Sequence, residues 1–261
     1  EMAAIAKEKG LLFHVDSCAG GFILPFLKQL GHDEINDFDF TVPGVTSISA
    51  DIHKYGYAAK GASLVLYRNK DLRKLQFYAY TEWPGGIYVS PSAGGTRPGG
   101  PIAAAWAIMK HLGEEGYQEI ARETKHIWTR FKTGIEKIDG VKIMGDPDGV
   151  ILAIGSDEHD IYSIGDEMTI RGYHMDRQQN PESLHLTLTL NHGQIVDEFL
   201  KDLEASVAEV SKMSFRKVSL KATKLMVRGI TRALPENWVS KLTALQSRMG
   251  GDDIVPKRSA A

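Results

Sequence analysis

The chain is poor in the features that mark secreted, membrane-spanning or nucleic-acid-binding proteins. Among its 261 residues there is one cysteine, Cys18, so no disulfide can form within the chain and a reducing, cytoplasmic compartment fits best. No apolar run approaches the ~18–20 residues that a membrane helix needs. Neither sign of charge dominates. With 31 basic and 33 acidic side chains the formal net charge is −2, which supplies no global field toward nucleic acid. Internal repeats and low-complexity tracts are lacking as well. The sequence opens without an initiator Met or a signal peptide; Glu1–Gly10 reads as the last turns of a helix closed by a glycine, which predicts a piece of a longer protein. What remains, 43% hydrophobic and 25% charged residues, is the composition of a folded chain long enough for one large domain or two small ones.

Apolar runs at Leu11–Val15, Val45–Ala50 and Ser63–Tyr67 follow glycine or Pro-Gly punctuation and predict strands of an α/β sheet covered on both faces. A Gly- and Pro-rich loop is expected between Tyr80 and Pro101, then a helix over Ile102–Leu112 with Pro101 near its first position and Gly113 beyond its end. Helical periodicity resumes over Tyr117–Ile138, with Ile120, Ile127, Phe131 and Ile135 on one face. Strands are expected at Val141–Met144, Val150–Gly155 and Ser183–Leu190, and helices at Ser163–Arg171 and Gln194–Lys212. The division drawn is residues 1–113 as part of a larger α/β domain, 114–212 as a small α+β domain, and 213–261 as a basic, partly helical tail.

Three segments carry chemistry together. His14-Val15-Asp16-Ser17-Cys18-Ala19-Gly20-Gly21 sets an aspartate at the end of a strand. Ser49-Ala50-Asp51-Ile52-His53-Lys54-Tyr55-Gly56-Tyr57-Ala58-Ala59-Lys60-Gly61 holds two lysines in a glycine-punctuated loop. Gly94-Gly95-Thr96-Arg97-Pro98-Gly99-Gly100 precedes a helix, where free backbone N–H groups and a hydroxyl favour phosphate. Taken singly, a strand-end Asp is a turn cap, a loop Lys is solvated and a Gly-rich stretch is a loop. Cys18 has no cationic neighbour in sequence and reads as a small filler. Asp157-Glu158-His159-Asp160 reads as a polar turn rather than a metal site. No metal is implied.

His53-Lys54-Tyr55-Gly56 after His14-x-Asp16 resembles the group II decarboxylase branch of pyridoxal-phosphate enzymes of the aspartate-aminotransferase fold, fold type I. Within it the continuation through Tyr57-Ala58-x-Lys60-Gly61 is similar to the sphingosine-1-phosphate lyase family. Trp83-x-Gly85-Gly86-Ile87-Tyr88, Gly95-Thr96-Arg97-Pro98-Gly99-Gly100, Leu184-His185-Leu186 and Leu190-Asn191-His192 extend the likeness over most of residues 1–212. Thr96 stands where the pattern commonly has Ser; both keep a hydroxyl. The upstream loop for the cofactor phosphate and the ring-stacking histidine are not in this chain.

The resemblance implies pyridoxal 5'-phosphate as cofactor, with Lys54 as the lysine that carries it and Asp16 paired with its pyridine nitrogen. His53 would lie against its phosphate, and Gly95 and Thr96 would reach into the neighbouring subunit of a homodimer with shared sites. Two unit charges ~4 Å apart at an effective dielectric of ~20 interact by about 4 kcal/mol, enough to keep a ring nitrogen protonated. Lys54 must be partly neutral to attack a carbonyl, and desolvation is expected to lower its pKa. Lys60 implies either a cation for a substrate phosphate or a group that moves a hydroxyl proton. The implied activity is retro-aldol cleavage of phosphorylated sphingoid bases to a long-chain aldehyde and phosphoethanolamine. An amino-acid decarboxylase on the same cofactor, or a catalytically silent assembly module, are the alternatives. In the tail, Lys217, Lys221, Lys224 and Arg228 form one helical stripe beside Val218, Ala222, Leu225, Met226 and Ile230. That stripe packs on the body of the protein with its lysines solvated, or lies on an anionic membrane surface.

Overall fold

The computed structural model describes residues 1–92 and 94–212. The basic tail stripe lies outside the described residues. Helix α1, Met2–Glu8, ends as expected: Gly10 adopts φ +65° while Leu11 N–H donates to the Ala6 carbonyl at 2.8 Å. Strand β1 is shorter than the apolar run suggests, His14–Asp16; Leu11 and Leu12 stay 60% and 69% exposed and no strand among the described residues pairs with them. A 3₁₀ turn, Gly20–Phe22, and helix α2, Leu24–Gln29, return the chain to strand β2, Ser47–Ala50, which runs parallel to β1. Strand β3, Leu64–Tyr67, pairs with β2 antiparallel.

Strand β3 is an edge of the three-stranded sheet, and the described residues leave Leu64, Val65 and Leu66 36%, 53% and 44% exposed. After α3, Lys70–Lys74, capped by the Asn69 side chain on Leu72 N–H, the expected loop is partly ordered. Strands β4, Tyr78–Tyr80, and β5, Tyr88–Ser90, form a hairpin within it.

Helix α4, Gly99–Ile135, starts three residues before the expected Ile102, with Pro98 as N-cap and Pro101 in the first turn, where a missing N–H costs nothing. The expected stop at Gly113 appears as a break: φ 60°, ψ −171°, with helix on both sides. The remainder is a four-stranded antiparallel sheet in the order β6-β7-β9-β8 (Lys142–Ile143, Ile151–Gly155, Ser183–Thr187, Asp176–Gln178). β8 has no apolar signature, since all three of its side chains are exposed. Helices α5, Ile161–Ile170, and α6, Val196–Lys212, cover this sheet, and Asp160 caps α5 by accepting Tyr162 N–H at 3.1 Å. A 3₁₀ turn over Leu190–Gln194 takes the end of the long strand expected to reach Leu190.

Two cores matter for the site. One runs from Ile127 to Val210 and includes Phe131, Leu152, Ile164, Leu184 and Leu203. The other joins the two halves of the chain: Ile23, Leu27, Ile35 and Tyr55 bury against Ala121 and Val150, and the Phe26 ring stacks on Tyr117 with centroids 5.1 Å apart. No described helix is long and apolar enough to cross a membrane.

Candidate active site

Parallel pairing of β1 with β2 brings the ends of two strands side by side, where an open α/β sheet presents its binding residues. After β1 the chain turns sharply, with Gly21 N–H on the Ser17 carbonyl at 2.8 Å; a Cβ at Gly21 would stand 2.9 Å from the Ala50 Cβ, so only glycine permits this approach. Asp16 at the strand end is exposed, and its Oδ1 accepts from Ser49 Oγ and from Cys18 N–H, both at 3.0 Å. The Ser49 bond first, then the Cys18 amide, holds this carboxyl below the usual range, and the nearby Lys54 charge adds to the effect.

After β2 the segment Asp51–Gly61 folds back on itself. Lys54 N–H donates to the Asp51 carbonyl at 3.2 Å, Tyr57 N–H to Lys54 at 3.1 Å, and Ala58 N–H to Ile52 at 3.1 Å. Tyr57 takes φ +59°, an uncommon conformation for a non-glycine residue. Gly56 is required by contact, because a Cβ there would meet the Ile52 carbonyl oxygen at 2.5 Å. Two buried tyrosines anchor the segment from outside: Tyr55 Oη donates to the Leu188 carbonyl at 2.5 Å and Tyr117 Oη to the Gly56 carbonyl at 2.8 Å. Burial drives both phenols above their ordinary pKa, so both remain donors at any physiological pH.

The anchored loop presents Lys54 beside two partners. Its ammonium lies 3.3 Å from Asp51 Oδ2 and against the Cys18 side chain, and is 39% exposed. The sequence expectation that desolvation would lower its pKa is overturned. The contact with Cys18 raises it most, Asp51 raises it further, and burial opposes both without winning. Cys18 therefore does have a cationic neighbour, which linear spacing could not reveal. Asp51 is itself fixed: Ser63 Oγ donates to its Oδ1 at 2.6 Å and His53 Nε2 stands 3.9 Å from its Oδ2, with the Ser63 bond chief in keeping the carboxyl ionised. Asp51 is the residue that sequence reasoning missed; its signal was an acid three positions before a lysine inside a turn.

The structure thus gathers Asp16, His53 and Lys54 into one cluster. Lys60 is exposed and has no hydrogen bond or ion pair among the described residues. Its neighbour Gly61, at φ +114°, touches the first turn of α4: a Cβ there would lie 2.9 Å from Pro101 Cγ. Among the described residues Gly95, at φ +60°, makes only a long bond to the Ser92 carbonyl at 3.5 Å, Thr96 is exposed, and no hydrogen bond ties either to the Asp16–Lys54 cluster. An ionised, exposed carboxylate beside a primary amine and an imidazole fits pyridoxal phosphate, whose ring nitrogen would pair with the first and whose carbonyl carbon would react with the second.

Comparison with known proteins agrees with this chemistry. The family model described as the pyridoxal-dependent decarboxylase conserved domain matches residues 1–152. Sphingosine-1-phosphate lyase of Oryza sativa subsp. japonica is 50% identical over 210 residues, 80% of this chain and 39% of the relative. Sphingosine-1-phosphate lyase 1 of Rattus norvegicus is 44% identical over 214 residues, 81% of this chain and 38% of the relative. The chain therefore spans about two fifths of the length of these curated relatives. The solved sphingosine-1-phosphate lyase of Burkholderia pseudomallei superposes with a TM-score of 0.76 at 37% identity, covering 86% of this chain and 52% of that one. A glutamate decarboxylase of Lactobacillus brevis, TM-score 0.63 at 18% identity over 80% of this chain and 51% of its own, shares the fold.

Proposed function

The chain belongs to the pyridoxal-dependent decarboxylase family, and on that premise we propose that it forms the lysine-bearing part of a lyase that splits phosphorylated sphingoid bases into a long-chain aldehyde and phosphoethanolamine. The carrying observation is the Asp16–Cys18–Lys54–Asp51 cluster held on a tyrosine-anchored loop, with a free second lysine, Lys60, against the start of α4. The bound cofactor supplies an electron sink for the carbanion left when the Cα–Cβ bond breaks.

In this reading Asp16 would pair with the ring nitrogen and keep it protonated, and Ser49 and the Cys18 amide hold the carboxylate in place. Lys54 carries the cofactor. Its ammonium must first surrender a proton from Nζ to solvent, against the hold of Asp51 Oδ2 and Cys18, the groups in contact with it. His53 would lie against the cofactor phosphate. Lys60 offers a mobile ammonium to the substrate phosphate or to the proton of its C3 hydroxyl. An amino-acid decarboxylase has no use for that second lysine, which is why the lyase reading is preferred.

Gly95 and Thr96, on a loop between the β4–β5 hairpin and α4, serve a neighbouring copy in a homodimer. Exposed apolar side chains flank that loop, among them Trp83 (53%), Ile87 (75%), Ile102 (56%) and Trp106 (64%). The division at residues 113 and 114 is proposed as the boundary between cofactor and small domains, with Tyr117 and Ala121 reaching back across it. The setting in this reading is cytoplasmic, peripheral to a membrane at most.

The test is to incubate the full-length protein with pyridoxal phosphate and a phosphorylated sphingoid base and measure aldehyde and phosphoethanolamine. Lys54→Ala should abolish both products and the borohydride-trappable link between cofactor and peptide. Trapping that persists at the same peptide sinks the assignment of Lys54, and release of CO₂ from amino acids without aldehyde turns the reading to a decarboxylase.

A further inference from the structure

Strand β1 places His14 and Asp16 two residues apart on one side, and the parallel register sets them opposite Ser47 and Ser49 of β2. Three hydrogen bonds run through the four side chains. Ser47 Oγ meets His14 Nδ1 at 2.9 Å, His14 Nε2 meets Ser49 Oγ at 3.2 Å, and Ser49 Oγ meets Asp16 Oδ1 at 3.0 Å. The direction of each bond follows from one end. An ionised carboxylate only accepts, so the single hydrogen of the Ser49 hydroxyl goes to Asp16. Its oxygen then accepts from His14, which places the imidazole proton on Nε2. The neutral ring keeps an acceptor at Nδ1, and the Ser47 hydroxyl fills it.

We propose that His14 is a positioning residue which, through Ser49, fixes the orientation and charge of Asp16. This rests on the reading of Asp16 as the partner of the cofactor ring nitrogen, and it adds a residue that would touch neither cofactor nor substrate. The argument is geometric. Asp16 is exposed and among the described residues its side chain is hydrogen-bonded only from the Ser49 and Cys18 side, so an immobile Ser49 hydroxyl is what aims it. His14 removes the rotational freedom of that hydroxyl, and Ser47 in turn fixes the imidazole. The other ionisable groups near Asp16 are Lys54 and Cys18, from the Asp51–Lys54 turn and the turn after β1; neither bonds His14 or Ser49. If His14 is protonated, Ser47 rotates to accept from Nδ1–H and the line of bonds to Asp16 is unbroken.

The experiment uses the full-length protein without cofactor, labelled at histidine nitrogen and aspartate carboxyl carbon, and reads both by NMR. The wild type should show the neutral form of His14 as the Nε2–H tautomer. The Asp16 titration midpoint should rise by about one pH unit in Ser49→Ala and by roughly half a unit in His14→Leu. His14→Gln should restore the wild-type midpoint, since its carboxamide can donate to Ser49 and accept from Ser47. A merely structural role lowers the melting temperature of all three variants alike and does not sort their midpoints. An Nδ1–H tautomer in the wild type, or a midpoint in His14→Leu equal to wild type, overturns the proposal; the first needs no variant to fold. If Asp16→Asn leaves the visible spectrum of the cofactor-loaded protein unchanged, the reading of Asp16 fails while the hydrogen-bonded line still stands on its own data.

Discussion

Lys54 sits charged between a thiol and a carboxylate, so its reactivity is set by what its neighbours give up. Its pKa lies above the ordinary 10.5, chiefly through Cys18 and then Asp51, while that of Asp51 lies below 3.8. The signs give a window. The Lys54 side of the contact stabilises the fold fully below pH 10.5 and is lost as pH rises through the folded value. The Asp51 side is present above pH 3.8 and is lost as pH falls through its own folded value. Asp51→Asn should bring the Lys54 midpoint down and make its peptide label roughly three- to ten-fold faster with an amine reagent at pH 8, read by mass spectrometry. An unchanged rate would mean that Cys18 alone governs the amine. Lys60 should behave differently, because it has no partner to lose: Lys60→Ala is expected to eliminate cleavage of the phosphorylated sphingoid base while leaving the visible spectrum of the Lys54-bound cofactor intact. Loss of the spectrum as well would make Lys60 structural. Asp16, His53 and Lys54 are legible in the sequence because each belongs to a short motif. The contacts of Lys54 are only partly so: Asp51 is three residues away, whereas Cys18 is brought in by strand pairing, which no local pattern encodes.

At the scale of elements, glycine and proline punctuation located the boundaries well and apolar runs located strands less well. Gly10 and Gly113 mark the end of α1 and the break of α4 because both need positive φ. Leu11 and Leu12 carry the composition of a strand and pair with no strand among the described residues, and a strand exists only where a neighbour supplies hydrogen bonds. The β4–β5 hairpin and the polar β8 were hidden for the opposite reason, since their side chains are mostly exposed and show no buried face. The lysine loop is an element in this sense too, defined by ties to other elements more than by its own sequence. Tyr55→Phe leaves the carbonyl of the fully buried Leu188 without its donor and should destabilise the chain by ~1–3 kcal/mol in urea denaturation. Tyr117→Phe should cost a similar amount at Gly56. A change below about 0.3 kcal/mol in both would mean that water replaces the phenols freely.

For the whole molecule, the exposed apolar residues are concentrated on β3, the hairpin and the first turns of α4, while the C-terminal core is complete. Hydrophobic periodicity could place Ile127, Phe131 and Ile135 inside, but it cannot say which apolar strand is covered by something else, because Leu64–Tyr67 reads the same in either case. If the hairpin and α4 meet a second copy, Trp106→Glu should shift the full-length protein toward monomer in sedimentation velocity without unfolding the C-terminal sheet. A monomeric wild type would refute the shared site. The two tyrosine ties have a kinetic meaning as well. A loop ordinarily exchanges its amide hydrogens by local fraying, yet residues 54–58 are fastened to Leu188, more than a hundred positions away, and to α4. The amides of Lys54, Tyr57 and Ala58, hydrogen-bonded inside the loop, are therefore expected to exchange with deuterium only as fast as these two ties release, which hydrogen exchange read by mass spectrometry checks.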